Sequence, residues 1–339
     1  MTETVLVTGG SGFVAGWCIV ELLKRGYRVR TTVRDLSREA GIRSAIAAAA
    51  GNTDNLSFFT ADLLADTGWD RAVQGCDYVL HVASPLGGGV RGDRHALVEP
   101  ARAGTLRVLR AAVEADVKRV VMTSAAATAR PPLNTNSISD ETIWADPDDP
   151  QFDAYRVSKI LAERAAWDFM KERGATDRLT TVLPGAVFGP VLSEETIGSD
   201  KIIRDLLQGR PRAMPQLGFW VVDVRDLAEL HIKAMITPEA GGERFIAAGE
   251  FMWMEDIART LRSGLGSRGL KTPTRRLPTM IVKLMLPFLP NLKGLAPLIG
   301  RKFRLTSEKA RHVLGFAPRS GAATVIDCAE SLLAGPVSR

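Results

Sequence analysis

The stretch TVLVTGGSGFVAGW, residues 4–17, decides the fold of this chain. An apolar run of strand length leads directly into Thr8-Gly9-x-x-Gly12-x-x-Ala15 and then into residues with helical spacing. One glycine suits the tight turn, the other lets the backbone approach a pyrophosphate, and the small Ala15 permits close helix–strand packing. The N-terminus of the following helix would offer N–H groups and a positive dipole to phosphates. Such glycines often serve the turn alone, but here they open a strand–helix repeat, which favours dinucleotide binding.

Strand-length apolar runs alternate with helix-length segments as far as about residue 185. The runs are TVLVTGG, RVRTTVR, LSFFT, DYVLHVA, RVVMTS and LTTVLPG. Strands that are apolar on both faces and alternate with helices are typical of a doubly wound parallel sheet. The sequence therefore predicts an α/β Rossmann-type sheet of six strands.

The alternation ends after this point. Residues 190–220 carry many Gly and Pro, and WVVDVRDLAELHIKAM, residues 220–235, reads as a short strand followed by an amphipathic helix. We therefore predict an NADP-binding Rossmann domain (1–189 with 221–250), a smaller, discontinuous, mostly helical substrate lobe (190–220 with 251–317) and a C-terminal helix (318–339).

The composition is that of a soluble globular protein. Of its 339 residues 45% are hydrophobic and 24% charged, and 44 basic against 38 acidic residues give a net charge of +6. The basic residues are scattered, which favours a solvated surface that attracts an anionic cofactor over nucleic-acid binding. The three cysteines are far apart, which predicts a reducing compartment and neither a disulfide framework nor a zinc site.

Two apolar segments bear on localisation. The N-terminus enters a strand without a secretory signal, so a cytoplasmic protein is expected. The segment Met280–Gly300 contains two lysines and three prolines, which predicts a pocket lid or packing helix and no membrane insertion.

The four histidines, His81, His95, His231 and His312, have no metal-ligand spacing, and His81 at the end of an apolar strand is expected to be structural.

The end of the second strand discriminates between NADH and NADPH. The sequence there reads TTVRDLSREAGIR, with Arg34 followed by Asp35. An acid in this place holds a ribose diol and repels a 2′-phosphate, whereas an arginine binds the phosphate with bidentate geometry. If the strand ends at Val33, Arg34 meets the ribose first, which favours NADPH. Asp35 as a ribose ligand is the alternative.

The stretch DAYRVSKILAERAAWDFM places Tyr155 and Lys159 one helical turn apart on one face. A phenol has a reference pKa of about 10, and a neighbouring ammonium would lower it and make the phenol a usable proton donor. Tyr and Lys occur at this spacing by chance on many helices. Here the helix lies between the fifth and sixth predicted strands of a nucleotide-binding sheet, which favours a catalytic pair.

Seven motifs occur in a characteristic order: TGGSGFVAGW, TTVRD, ADLL, HVASP, VVMTS, YRVSK and LPGAVFGP. Together they resemble the extended short-chain dehydrogenase/reductase family. Within it the chain is similar to the branch of dihydroflavonol reductases, cinnamoyl-CoA reductases and microbial aldehyde or ketone reductases. The resemblance covers nearly the whole chain, including VDVRDLAELHIKAM and LGFAPRS.

The resemblance implies roles for individual residues. Tyr155 would be the general acid/base, and Lys159 would bind the nicotinamide ribose and tune Tyr155. The other implied cofactor contacts are Gly9, Gly12, Phe13 and Val14 at the pyrophosphate, Arg34 at the 2′-phosphate, Asp62 and Leu63 at the adenine, Val82, Ala83 and Ser84 beside the cofactor, and Pro184, Ala186 and Val187 at the carboxamide. The implied substrate contacts are Ser84, Pro85, Thr128, Arg130 and Phe188.

Two residues depart from the family pattern. Relatives usually read TSSAGT where this chain reads TSAAAT, so Ala125 occupies the position of the second, catalytic serine. Either Ser124 takes over, or Thr128 does, or Tyr155 holds the oxyanion alone; we predict Ser124. Arg130 stands where plant dihydroflavonol reductases carry asparagine, which argues against a flavonoid and leaves room for an acidic or polar substrate. A solvated arginine is the alternative.

These observations predict an NADPH-dependent reductase that converts a bulky aldehyde or ketone to an alcohol, with NADH the weaker cofactor and no metal. A sugar-nucleotide epimerase or dehydratase on the same fold is the first alternative. A non-catalytic NADP sensor is the second, because Ala125 replaces a catalytic hydroxyl. A monomer or homodimer is expected.

Overall fold

The computed structural model describes residues 2–85, 96–132, 135–193, 198–285 and 298–335. Its centre is a parallel sheet of seven strands in the order β3-β2-β1-β4-β5-β6-β9. These strands are β1 Thr4–Val7, β2 Arg28–Val33, β3 Leu56–Thr60, β4 Tyr78–His81, β5 Arg119–Thr123, β6 Leu179–Pro184 and β9 Arg244–Ala247. The predicted doubly wound Rossmann-type sheet is confirmed, with one strand more than expected.

Helices cover both faces of this sheet. Val5 and Val7 of β1 join a core with helices α1, α7 and α10, whereas Leu6 joins a second core with α3, α4 and α5. Side chains alternate between the faces of a strand, so a continuous apolar run fills both cores. The helices are α1 Phe13–Lys24, α2 Glu39–Ala50, α3 Trp69–Val73, α4 Val98–Glu114, α5 Ala154–Glu172, α6 Asp200–Leu207, α7 Val224–Ile236, α8 Met254–Gly264, α9 Thr279–Met285, α10 Glu308–Leu314 and α11 Gly321–Ala334.

A second, three-stranded sheet supports a smaller lobe. It contains β7 (Ala186–Phe188), β8 (Gly218–Asp223) and β10 (Phe251–Trp253), with β8 between the other two. A separate core joins this sheet to α6, α8 and α11. The predicted strand–helix unit after residue 220 is confirmed as β8 and α7, but β8 pairs with the small sheet and not with the large one.

The predicted division of the chain differs from this packing at two places. Helix α10 lies within the range 251–317 that was predicted for the substrate lobe, yet Ala310 and Leu314 pack into the core that contains α1 and α7. Helix α11, predicted as a separate element, packs into the lobe core through Val325, Cys328 and Ala329. The last residues, 336–339, lie outside the described part of the chain.

Several further expectations concern segments and single residues. No helix in the described ranges is long and apolar enough to cross a membrane, and no group of three potential metal-ligating side chains occurs there. The three cysteines are buried and unpaired. The predicted lid or packing helix begins as α9, but residues 286–297 and His95 lie outside the described residues.

Candidate active site

A cleft of about 1120 Å³ runs along the carboxyl edge of the large sheet. The residues that follow β1 to β6 line it, as expected for the ligand site of an open parallel sheet. One end contains the glycine motif and Arg34, and the other contains Tyr155 and the aromatic rings of the small lobe. The cleft therefore joins the predicted nucleotide site to the predicted catalytic pair.

The glycine motif forms a cradle that side chains would fill. Gly9 has φ +75°, and a Cβ there would lie 3.0 Å from the Cβ of Ala83. A Cβ on Gly10 would overlap the hydroxyl of Thr31. Gly12 is the N-cap of α1 and has no side chain that could cap the helix. The backbone at the start of α1 thus stays open to the cleft, which fits a pyrophosphate.

Thr8 fixes the far wall of this cradle. Its Oγ1 accepts hydrogen bonds from the N–H groups of Val82 and Ala83, at 3.1 and 3.0 Å. It also pairs with Nδ1 of His81 at 3.0 Å, and His81 Nε2 lies 3.4 Å from the Thr105 hydroxyl. Burial, with a further contribution from the charge of Lys159, lowers the pKa of His81 to about 3, so the ring is neutral. His81 is a structural residue, as predicted, and Thr8 is a contributor that the motif analysis missed.

The turn after β2 presents cations to the cleft. β2 ends at Val33 as predicted, and both Arg34 and Arg38 line the cleft. Arg34 is exposed, and no described residue pairs with its guanidinium. Asp35 does not line the cleft, because its carboxylate accepts the N–H of Ser37 at 2.8 Å and caps the next helical turn. This hydrogen bond lowers the pKa of Asp35. The ribose end is therefore cationic, which suits a 2′-phosphate.

All of the predicted cofactor contacts line this one cleft. They are Gly9, Gly12, Phe13, Val14, Arg34, Asp62, Leu63, Val82, Ala83, Ser84, Tyr155, Lys159, Pro184, Ala186 and Val187. Further residues line the cleft that the sequence interpretation did not assign to it; they include Thr32 and Leu64, which lie within quoted motifs, and Trp69 and Ser199, which lie outside them.

Tyr155 and Lys159 project from the first turns of α5. Asp153 caps this helix by accepting the N–H of Arg156 at 2.9 Å. Tyr155 is 37% exposed in the cleft, whereas Lys159 is buried and donates from Nζ to the Thr123 carbonyl at 3.1 Å. Burial lowers the pKa of Lys159 to about 8, opposed by the charge of Glu163.

The pKa of Tyr155 differs from the sequence expectation. Burial raises it, and the charges that act on it are those of Arg156, which lowers it, and Asp153, which raises it. Lys159 is not among these charges, so the predicted lowering of the Tyr155 pKa by Lys159 is not observed; the Lys159 ammonium donates to the Thr123 carbonyl. Tyr155 is thus protonated at neutral pH.

The hydroxyls of Ser124 and Thr128 belong to a buried network beneath the cleft. Ser124 Oγ donates to Glu163 at 2.5 Å, and its side chain is 2% exposed. The other Glu163 oxygen accepts from Thr181 Oγ1 and Arg244 Nε, each at 2.9 Å. Arg244 also donates to the Thr128 hydroxyl at 3.1 Å, and Thr128 donates to the Ala125 carbonyl. We call these five side chains, Ser124, Thr128, Glu163, Thr181 and Arg244, the buried network.

This arrangement bears on three predicted site residues. Ser124 borders the cleft, and its hydroxyl donates to Glu163. Thr128 and Phe188 are fully buried and do not line the cleft, so neither lies where substrate contact was predicted. Ala125 does line the cleft, and it brings no hydrogen-bond donor in its side chain.

The substrate end of the cleft is aromatic and contains one partly buried arginine. Arg130 lines it, and its guanidinium lies 4.7 Å from the ring centroid of Phe303 and 5.6 Å from that of Phe152. Arg130 is therefore not a solvated arginine. Ser84 and Pro85 line the cleft as predicted. The small lobe and the segment before α10 contribute Phe219, Trp220, Phe251, Leu298, Phe303 and Leu305.

Known proteins share this sequence and architecture. Residues 5–248 match the model of the NAD dependent epimerase/dehydratase family. Cinnamoyl-CoA reductase 1 of Petunia hybrida is 37% identical over 265 residues, which cover 76% of each chain. Ketoreductase azaE of Aspergillus niger is 35% identical over 287 residues, covering 78% of this chain and 82% of the relative.

The solved structures give the same result. The yeast methylglyoxal/isovaleraldehyde reductase Gre2, complexed with NADPH, superposes with a TM-score of 0.80 at 26% identity over 98% of both chains. With the family model matched over most of the chain, and the cradle, the cationic turn and the Tyr155–Lys159 helix in one cleft, the chain belongs to the NAD-dependent epimerase/dehydratase family, the extended short-chain dehydrogenases/reductases.

Proposed function

We propose that this protein is an NADPH-dependent reductase that converts an aldehyde or ketone to an alcohol. The observation that carries the proposal is one continuous cleft with Arg34 and Arg38 at its ribose end and Tyr155 at its other end. Asp35, the residue that would favour NADH, is turned away as a helix cap. The relatives that carry the names cinnamoyl-CoA reductase and ketoreductase, and the NADPH-bound Gre2, support this choice.

The chain would bind the cofactor and donate one proton to the substrate. NADPH, when bound, would supply the hydride to the carbonyl carbon. Tyr155 donates its hydroxyl proton to the carbonyl oxygen, and its raised pKa keeps that proton available at neutral pH. The phenolate that remains lies in the first turn of α5, where the positive end of the helix dipole stabilises it. Lys159, held by the Thr123 carbonyl, would bind the nicotinamide ribose.

We further propose that Tyr155 acts without the serine that the family pattern provides. The Ser124 hydroxyl serves Glu163, and Ala125 occupies the extended position that faces the cleft. In this proposal Ser124 is a structural residue. Loss of one oxyanion donor costs about 10²–10³ in rate, so the enzyme would be slow but competent.

The test is oxidation of NADPH and of NADH by the purified protein against a panel of aromatic and aliphatic aldehydes and ketones. We expect turnover with NADPH, a slower reaction with NADH, and a loss of about 10²–10⁴ in kcat in Tyr155→Phe. Cofactor that stays bound through purification as NAD, with no carbonyl turnover, would favour the epimerase/dehydratase alternative. Equal turnover by Tyr155→Phe would overturn the role of Tyr155.

A further inference from the structure

Arg130 differs from the other cations that line the substrate end of the cleft. Arg156 pairs with Asp153, Lys201 pairs with Asp205, and Lys159 donates to the Thr123 carbonyl. No described carboxylate lies within 4 Å of the Arg130 guanidinium, and no described oxygen accepts a hydrogen bond from it. Its described neighbours are the rings of Phe152 and Phe303.

Ring contacts hold the Arg130 guanidinium in place but accept none of its hydrogen bonds through an oxygen. A guanidinium carries five N–H donors, and aromatic rings offer a favourable quadrupole but no oxygen acceptor. Burial, with a smaller contribution from Arg156, lowers the pKa of Arg130 to about 10, so it remains charged at neutral pH. The guanidinium is partly buried and lines the cleft, so its N–H groups can meet a ligand there. The side chain is therefore prepared for an anion.

Arg130 lies near the segment of the chain that carries Tyr155. The charge of Arg156 lowers the pKa of Arg130, and those of Asp153 and Asp149 raise it, so Arg130 lies near the segment around Tyr155. Phe152, whose ring Arg130 contacts, lies three residues before Tyr155. A molecule whose carbonyl contacts Tyr155 can thus reach Arg130 with a second group. The nicotinamide and phosphate contacts lie in the rest of the cleft, on the residues after β1, β2 and β6.

We propose that Arg130 forms a subsite for a carboxylate of the substrate, so that the preferred substrate is an oxo acid with an aromatic or bulky apolar body. The planar fork of the guanidinium matches a carboxylate with two parallel hydrogen bonds. Trp220, Phe251 and Leu305 supply the apolar wall for the remainder of the molecule. This inference rests on the proposed carbonyl reductase activity and names its substrate class.

The experiment compares aryl oxo acids, with increasing spacing between carbonyl and carboxylate, with their methyl esters, using NADPH. For the best-placed acid we expect kcat/KM about 10–100-fold above that of its ester, the range of a hydrogen-bonded charge. Arg130→Gln should bring kcat/KM for the acid down to that for its ester. Arg130→Lys should retain part of the preference for the acid. Arg173→Gln is the matched control, because Arg173 packs on the Phe169 ring at the far end of α5, outside the cleft.

The outcomes separate this proposal from the reductase proposal. Reduction of esters and acids at equal rates by the wild-type protein would overturn the carboxylate subsite and leave the reductase intact. Equal losses for acid and ester in Arg130→Gln would assign Arg130 a structural role only. If no carbonyl is reduced, calorimetric binding of an aryl carboxylate and its amide still decides: acid-selective binding that Arg130→Gln removes supports the subsite, and its absence overturns it.

Discussion

At the residue scale, positions 124 and 125 differ in the face to which each side chain points. Ala125 has an extended backbone, so the side chains of Ser124 and Ala125 point to opposite faces. The Ser124 hydroxyl is the one that meets Glu163, at 2.5 Å. A hydroxyl on this strand end therefore reaches either the buried network or the cleft, and not both.

Exchanging the two side chains tests this arrangement. We expect Ala125→Ser to raise kcat by about 10²–10³-fold, because it adds an oxyanion donor on the cleft side. Ser124→Ala should leave kcat nearly unchanged and lower the free energy of unfolding by about 1–3 kcal/mol, because buried Glu163 loses a donor. Steady-state kinetics and urea denaturation of both variants measure this. A large drop in kcat with unchanged stability in Ser124→Ala would contradict the structural role.

The ammonium of Lys159 sets a pH dependence. Its pKa of about 8 lies below the ordinary value for lysine because of burial, with Glu163 on the same helix opposing and neutral His81 facing it from β4. The ammonium is present below pH 8 and is lost as the pH rises through 8, and with it the charge that would bind the nicotinamide ribose. We expect the pH profile of kcat/KM for reduction to fall above about pH 8.

The matched variant is Lys159→Met, which should be slow at every pH and lack this transition. A wild-type profile that stays flat from pH 7 to well above 8, or the same transition in Lys159→Met, would show that another group titrates.

At the scale of elements, the buried network joins α5 to three strands of the sheet. Glu163 of α5 bonds Ser124 after β5, Thr181 of β6 and Arg244 at the start of β9. Arg244 continues to the carbonyls of Glu141 and Ile143 at 2.8 Å, and its guanidinium lies 3.8 Å from the Trp144 ring centroid. The helix that carries Tyr155 and Lys159 is thereby fixed to the strand end that borders the cleft.

Breaking this pair should unfold the protein more readily. Glu163 is fully buried and Arg244 is 6% exposed, so Arg244→Met leaves a buried carboxylate without its cation. We expect a loss of about 3–5 kcal/mol in the free energy of unfolding, measured by urea denaturation. Arg268→Met, which removes an exposed partner of Glu330, is the control and should change little. Similar small losses in both variants would refute the importance of the network.

The same network shows what local sequence could and could not reveal about the elements. The strands β1 to β6 and the helix of Tyr155 were predictable because each has an uninterrupted apolar or helical period. Strand β9 was not, since RFIA is short and begins with an arginine whose burial depends on Glu163, 81 residues away. The direction of the Ser124 hydroxyl has the same cause. Pairing across the sheet, which a motif cannot contain, decides both.

At the scale of the whole molecule, one cleft is lined by elements that belong to different hydrophobic cores. The large sheet and its helices supply the cradle, the cationic turn and the helix of Tyr155, while the three-stranded sheet with α6, α8 and α11 supplies the aromatic wall. The cofactor motifs were readable because each lies directly after one strand. For the aromatic wall the sequence predicted only the two ranges 190–220 and 251–317, because pairing of β7, β8 and β10 brings its residues together.

Because the cofactor cleft gathers residues from most of the large sheet, bound cofactor should stabilise the whole fold. At a concentration of about 100 times Kd a ligand adds about 2.7 kcal/mol, which for a chain of this length raises Tm by about 3–6 °C. We expect this shift with NADPH and a clearly smaller one with an equal concentration of NADH, because in the proposed function Arg34 and Arg38, which line the cleft, would bind the 2′-phosphate. Differential scanning fluorimetry measures this shift in Tm without any substrate.

Arg34→Ala should bring the NADPH shift down to that of NADH, whereas Asp35→Asn, which keeps the helix cap, should preserve the difference. Equal shifts for the two cofactors in the wild-type protein would reject the assignment of the cationic turn to the 2′-phosphate.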